Sequence, residues 1–195
     1  METSPTRERI VAAANTLFYR EGIRAVSVDA VAEEAGITKR SLYYHFKSKD
    51  DLIEAYLGYR DQPNLDAYQR WFSAAEGTVA EKIAAIFGHL AKAAKHPKWK
   101  GCGFLRTSAE LANLPGHPAI VRGAAHKKRI EAWLAARLAD DGLLEPAAVA
   151  RQIVLLLDGG FAVVMLHRDP NYMLSAGTAA RVLVETAPRR GATQE

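Results

Sequence analysis

Apolar side chains recur along this 195-residue chain at spacings of three and four, the repeat of one face of an α-helix. No segment alternates with period two, so the pattern predicts an all-α fold of about nine helices. Ser4-Pro5 reads as a cap and first turn. Ile10, Ala13, Ala14, Leu17 and Phe18 then hold one helical face, and Gly22 ends the helix. Ser27 caps a second helix with Val28, Val31, Ala32 and Ala35 inward and Asp29, Glu33 and Glu34 toward water. Gly36 stops it, and Thr38 caps a third. In that third helix Leu42 and Phe46 fall on one side, while Arg40, Tyr43 and Tyr44 point the other way. Two short helices across a glycine turn form the helix-turn-helix pattern.

A fourth helix opens at Ser48, with Leu52, Ala55, Tyr56 and Tyr59 as its apolar face. Pro63 is expected to interrupt or kink it before the spacing resumes at Leu65, Tyr68, Trp71 and Phe72. Thr78-Val79-Ala80-Glu81 fits a capping box ahead of Ile83, Ile86, Phe87 and Leu90. Phe104 to Leu114 reads as a short helix. Pro118 begins a longer one with Ile120, Ala124, Leu134 and Leu138 inward, on which Lys127 and Glu131 are spaced to pair. Pro146 starts a helix to about His167, and a last helix carries Leu174, Val182, Leu183 and Val184. The division expected is a three-helix domain at 1–47, a helical domain at 48–187 and a flexible tail at 188–195.

Charge sharpens the reading only locally. The net charge is +4, yet residues 1–60 carry nine basic and nine acidic side chains. Within them, residues 38–49 hold Lys39, Arg40, Lys47 and Lys49, two tyrosines and His45, with no carboxylate. A short helix with an apolar back and a basic, aromatic front suits the DNA major groove. One cysteine excludes an intramolecular disulfide. The absence of an apolar leader points to a cytoplasmic protein. Ile153–Leu166, interrupted by Asp158, reads as too short for a membrane span, so no membrane is expected. No His/Cys cluster has metal spacing, and no glycine loop marks a phosphate-binding cofactor site, so no metal or cofactor is expected.

The residues Thr6-Arg7-Glu8-Arg9-Ile10, Ala14, Leu17-Phe18, Gly22, Ser27 to Ala32, Ala35 to Phe46 and Lys49 to Leu52 resemble the TetR/AcrR family of bacterial transcriptional regulators. Arg40 departs from the pattern, since many relatives carry a glycine or small residue there. Gly101-Cys102-Gly103-Phe104, His117-Pro118, His126-Lys127 and Leu157-Asp158-Gly159-Gly160 are similar, more loosely, to one subgroup's second domain. The resemblance implies a ligand-responsive regulator, most simply a repressor, that binds a palindromic double-stranded DNA operator as a homodimer and is released by a small, largely apolar effector. It places residues 38–45 on the recognition helix and nominates Ser27, Thr38, Lys39, Arg40, Ser41, Tyr43, Tyr44, His45 and Lys49 for DNA contact, with Ser27 and Lys49 at helix N-termini.

The run Ile153 to Leu157 is apolar all round its helix and must be covered on every side. The family pairs its last two helices into a four-helix interface, which nominates Ile153, Leu157, Gly160, Val164 and Val182. Aromatic and polar groups of the second domain nominate Trp71, Phe72, Phe87, Phe104, Thr107, Ser108, His126, Asp158 and Phe161 for the effector. The alternatives are a small all-α enzyme using Cys102, for which no partner base stands out, and a constitutive DNA-binding protein without an effector. Cys102, beside Phe104 and Leu105, reads as a small apolar filler rather than a sensor.

Overall fold

Helix α1 (Pro5–Glu21) starts where Ser4 accepts a hydrogen bond from the Arg7 N–H at 3.3 Å, with Pro5 at its first position. Gly22, at φ 95°, ends it and donates its N–H to the Phe18 carbonyl. Helix α2 (Val28–Glu34) is capped by Ser27, which accepts from the Ala30 N–H at 3.0 Å. Helix α3 (Lys39–His45) is capped by Thr38, which accepts from the Ser41 N–H at 3.1 Å. Each cap satisfies an N–H that a helix start leaves without a partner. Ile10, Ala14, Leu17, Phe18, Val31, Leu42 and Phe46 close over one another as the buried centre of these three helices.

The computed structural model describes residues 4–190, and among them the chain forms nine α-helices and no strand. The remaining six are α4 (Lys49–Ala74), α5 (Val79–Ala94), α6 (Gly103–Glu110), α7 (Pro118–Asp140), α8 (Pro146–His167) and α9 (Asn171–Thr186). Helix α4 runs through Pro63 as one 26-residue helix, so of the interruption or kink expected there the interruption does not occur. Proline removes one N–H and frees one carbonyl a turn earlier. Pro63 and Tyr59 are both exposed, so water can take up that carbonyl. Helix α5 has the full capping box, Thr78 and Glu81 bonding reciprocally. Helix α6 stops at Glu110, short of Leu114. Helix α7 buries Ala119, Gly123, His126, Ile130, Leu134 and Leu138 and leaves Ala124 exposed, a stripe rotated from the expected one at its start.

The chain divides into two compact units. The first comprises residues up to Pro63 together with Cys102–Ala125, and the second Asn64–Gly101 together with His126 onward. The division falls within α4, at Pro63, and within α7. The first unit therefore holds more than the 1–47 expected, because α6 and the start of α7 fold with the helix-turn-helix. Its inserted segment is tied in by polar contacts. Arg106 donates to the Tyr19 carbonyl at 2.7 Å. Glu110 accepts from the Ile23 and Arg24 N–H groups at 3.3 and 2.9 Å. Arg122 bonds Glu54 at 2.7 Å, and His117 lies 3.3 Å from Asp50. At Gly103 a side chain would meet the buried Tyr56 hydroxyl at 2.7 Å, which explains a glycine there.

In the second unit α9 packs on both α5 and α8. Two glycines permit the approach: a Cβ at Gly177 would lie 2.7 Å from Phe87, and one at Gly160 would lie 2.9 Å from the Met173 sulfur. Helix α8, longer than the Ile153–Leu166 run read from the sequence, is long and apolar enough by length and composition to cross a membrane. Its buried face against α9 accounts for that composition within a packed unit. Lys127 pairs with Asp158, not Glu131, and Glu131 is taken by Lys128 at 3.0 Å. Pro188 to Arg190, at the start of the expected flexible tail, make contacts with the loop after α7. Leu144 donates to the Pro188 carbonyl, Arg190 to that of Gly142, and Arg189 pairs with Asp141. Residues 191–195 of that tail lie outside the described residues.

Candidate nucleic-acid interface

Helix α3 separates its two faces as the sequence predicts. Leu42 and Phe46 are buried, while Tyr44 is 87% exposed and Tyr43 43%. Lys39, Arg40 and Thr38 are exposed, and Ser41 and His45 half-buried. Tyr44 and His45 meet edge to face with ring centroids 5.2 Å apart. An isolated seven-residue helix would not persist in water. This one is held by its Thr38 cap, by Leu42 and by Phe46, over whose ring the Arg7 guanidinium sits at 4.8 Å. The exposed tyrosines are thus presented on a fixed base.

Lys49 begins α4 beside the Ser48 cap, which accepts from the Asp51 N–H at 3.0 Å. Partial burial lowers the Lys49 pKa, while the Glu110 and Asp50 charges oppose that shift. Ser27 is exposed and its oxygen already serves the α2 cap. An open cleft of about 1180 Å³ adjoins the end of α3 within the first unit and is lined by Arg7, Arg9, His45 and Lys47 along with Asp51 and Glu54.

One acidic residue does reach the basic face. Asp29 accepts a hydrogen bond from Lys39 Nζ at 2.9 Å, and both side chains are more than half exposed. That bond, followed by the Asp29 charge, raises the Lys39 pKa. The sequence reading left Asp29 facing water, and no local spacing rule links positions ten apart across a turn.

The residues nominated for an effector do not form one group. Phe104, Thr107 and Ser108 belong to the first unit and the other six to the second. Trp71 stacks on His89 at 5.0 Å, and Phe72 meets Trp133 edge to face at 5.6 Å. Phe87 fills the α5–α9 contact at Gly177. Asp158 and Phe161 do converge, because Lys127 pairs with the first and lies 5.7 Å from the ring of the second. His126 is buried.

Of the five residues nominated for a dimer interface, Ile153, Leu157, Gly160 and Val164 are buried inside their own unit. A residue with no exposed surface cannot meet a partner, so these four are corrected to core positions. Only Val182, 50% exposed, is available. The uncovered stripe of α8 is Leu155, Gly159, Ala162 and Leu166, one helical face at spacings of four, three and four.

Residues 10–56 match the family model described as "Bacterial regulatory proteins, tetR family". The N-terminal segment is a TetR-family domain. Over 111 residues, 56% of this chain and 53% of the relative, the chain is 31% identical to the HTH-type transcriptional repressor KstR2 of Mycolicibacterium smegmatis. The HTH-type transcriptional regulator SrpR of Pseudomonas putida is 36% identical over 32% of this chain and 29% of its own. The chain thus spans about half or less of the curated relatives it matches. Whole-chain likeness comes from solved structures. A TetR-family transcriptional regulator from Streptomyces coelicolor has a TM-score of 0.82 at 29% identity, covering 94% of this chain and 90% of that one. A putative regulator of the same family from Streptomyces avermitilis has the same TM-score and identity, covering 96% and 100%. The nine-helix architecture with an N-terminal helix-turn-helix is therefore that of the family.

Proposed function

We propose that this protein is a ligand-responsive transcriptional regulator, a repressor that binds a roughly palindromic operator as a homodimer in the cytoplasm. The observation that carries the reading is the outer face of α3, where two exposed tyrosines stand with Lys39 and Arg40 on a capped, anchored helix. Tyrosine rings can pack on sugars and thymine methyls, and their hydroxyls can donate to phosphate. Arg40 is the one long forked donor on that helix and is assigned to a base edge. Lys39, Tyr43, Tyr44, His45 and Lys49 are assigned to the backbone, with Ser27, Thr38 and Ser41 at its margin.

One such module reads few base pairs, so two are needed. The homodimer is assigned to the exposed stripe of α8 (Leu155, Gly159, Ala162, Leu166) with Leu174 and Val182 of α9. Large exposed apolar side chains on adjacent helices, separated by small residues, fit a self-complementary surface. The effector is assigned to the second unit, with Trp71 and Phe72 on α4 and the Lys127, Asp158 and Phe161 group as its polar and aromatic elements. Because α4 is one continuous helix from Lys49 to Ala74, a ligand favouring a different placement of its second half biases its start. Coupling of about 1–3 kcal/mol would suffice. The named relatives are transcriptional regulators, and the buried position of Cys102 suits a packing role better than a nucleophile's.

The test is selection of bound duplexes from a random DNA pool, followed by anisotropy titration of the selected site. A two-fold symmetric consensus bound by one dimer is expected. A pool that yields no consensus, with only weak binding to every duplex, would overturn the reading.

A further inference from the structure

The acid-to-base contact on the DNA-facing surface is not needed to build the fold. Thr38 already caps α3, and Ser27 already caps α2. Nor does Lys39 need a partner for solvation, since its side chain is more than half exposed. What the contact does is place a carboxylate beside a cation that a DNA phosphate would otherwise claim. Non-specific DNA binding consists almost entirely of such phosphate neutralisation. A carboxylate on this face therefore weakens binding to every duplex, and most to those that offer nothing else.

We propose that Asp29 is a specificity-determining residue: by holding Lys39 at 2.9 Å, it withholds one cation from the DNA backbone unless the duplex fits α3 closely enough to recruit it. The inference rests on the DNA-binding reading above. An exposed ion pair is weak, so a well-placed phosphate displaces it at little cost. On a duplex whose backbone lies slightly off, Lys39 stays with Asp29, and the phosphates near them face a carboxylate. Lys39 sits at the first position of α3 with Tyr43 one turn on, so releasing it brings the cation and the phenol to one strand together. Asp29 in this role acts as a stand-in for phosphate oxygen in the free protein. Like-charge penalties of this kind set specificity more than affinity.

The experiment uses the full chain as wild type, Asp29→Asn, Lys39→Ala and the double variant. Each is titrated against the selected operator and a scrambled duplex of equal length over a range of KCl concentrations. Asp29→Asn should tighten binding to the scrambled duplex by about two- to fivefold. It should change operator affinity less, so that discrimination falls. Its salt slope on the scrambled duplex should steepen by about 0.9, the release of one further counterion. In the Lys39→Ala background the slope change should vanish. Asp29→Glu, which keeps a carboxylate within reach, should retain wild-type discrimination, and Asp29→Ser serves where Asn impairs folding. Equal weakening on both duplexes would overturn the proposal and leave Asp29 as a helix-dipole anion. So would an unchanged salt slope, or a gain undiminished in the Lys39→Ala background. Wild type that binds the operator validates the underlying reading whichever of these results appears. Wild type that binds neither duplex defeats that reading and this one together.

Discussion

Helices α3 and α8 both leave large aromatic or apolar side chains in water, and the company of those side chains differs. On α3, Tyr44 is 87% exposed and stands among Lys39, Arg40, Lys47 and Lys49. On α8, Leu155 is 66% exposed and Leu166 75%, and the residues between them on that face are Gly159 and Ala162. Exposed apolar surface marks an interface in both cases. On the function proposed above, the charges around it select the partner: a polyanion for the first, and for the second an apolar surface of its own kind. The supports differ as well. The unit carrying α3 is tied together by charged and backbone hydrogen bonds from α6 and α7, whereas α8 packs its apolar face on α9 and adds ion pairs to Lys127 and Glu131 of α7.

The strongest way to break this comparison is to put charge on the apolar face. Leu155→Glu with Leu166→Glu should abolish the dimer in sedimentation and lower operator affinity by about a hundredfold or more, through loss of bivalency. A dimer that survives both changes would move the interface elsewhere. Gly160→Trp should instead damage the subunit's own α8–α9 packing, and its thermal midpoint should fall before any dimer effect is visible.

A smaller effect is expected at Arg40. Arg40→Ala should cost about 1–3 kcal/mol on the operator and relax preference at one base pair, whereas Lys49→Ala should weaken all sequences alike. Equal losses from both would remove the distinction between base and backbone contacts. Below these stands Glu110. Glu110→Ala leaves the Ile23 and Arg24 N–H groups without their carboxylate and should lower stability by about 1 kcal/mol, read by thermal unfolding. Operator affinity should fall with it, because the turn after α1 carries the α2–α3 pair.

How far these features could be read from sequence depended on their range. Thr38, Ser27, Ser48 and the Thr78–Glu81 box were legible because a cap and its N–H lie three residues apart. The buried pair Leu42 and Phe46 was legible because the helix repeat alone fixes their side. The Asp29–Lys39 bond, the Glu110 anchor and the Lys127–Asp158 pair were not, because each joins segments that only the tertiary fold brings together. Helix α8 misled for a related reason. A run apolar all round says that every side needs cover, but not which side its own chain supplies. The chain covers Ile153, Leu157, Gly160 and Val164 and leaves Leu155 and Leu166. At Pro63 the sequence left interruption and kink both open, because the exposure of the freed carbonyl, which lets water replace the lost hydrogen bond, is set by the tertiary fold.

The smallest expected effect lies in the second unit. Hydrogen bonds from Thr78, backbone first, hold the Glu81 pKa below its ordinary value. The carboxylate's contribution to stability is therefore complete above the ordinary glutamate pKa and fades as pH falls through the lower folded value. Glu81→Gln should flatten that acid limb slightly, and α3-dependent DNA binding should not change. Unaltered acid sensitivity in the variant would assign the limb to other carboxylates.

The central claim is that the α3 face binds DNA through its cations and tyrosines. Operator affinity measured against KCl concentration, for wild type and for Lys39→Ala/Tyr44→Ala, tests it most directly. Wild-type affinity should fall steeply and linearly on logarithmic axes, and the double variant should bind much more weakly with a shallower slope. Salt-independent binding, or full affinity in the double variant, would contradict it.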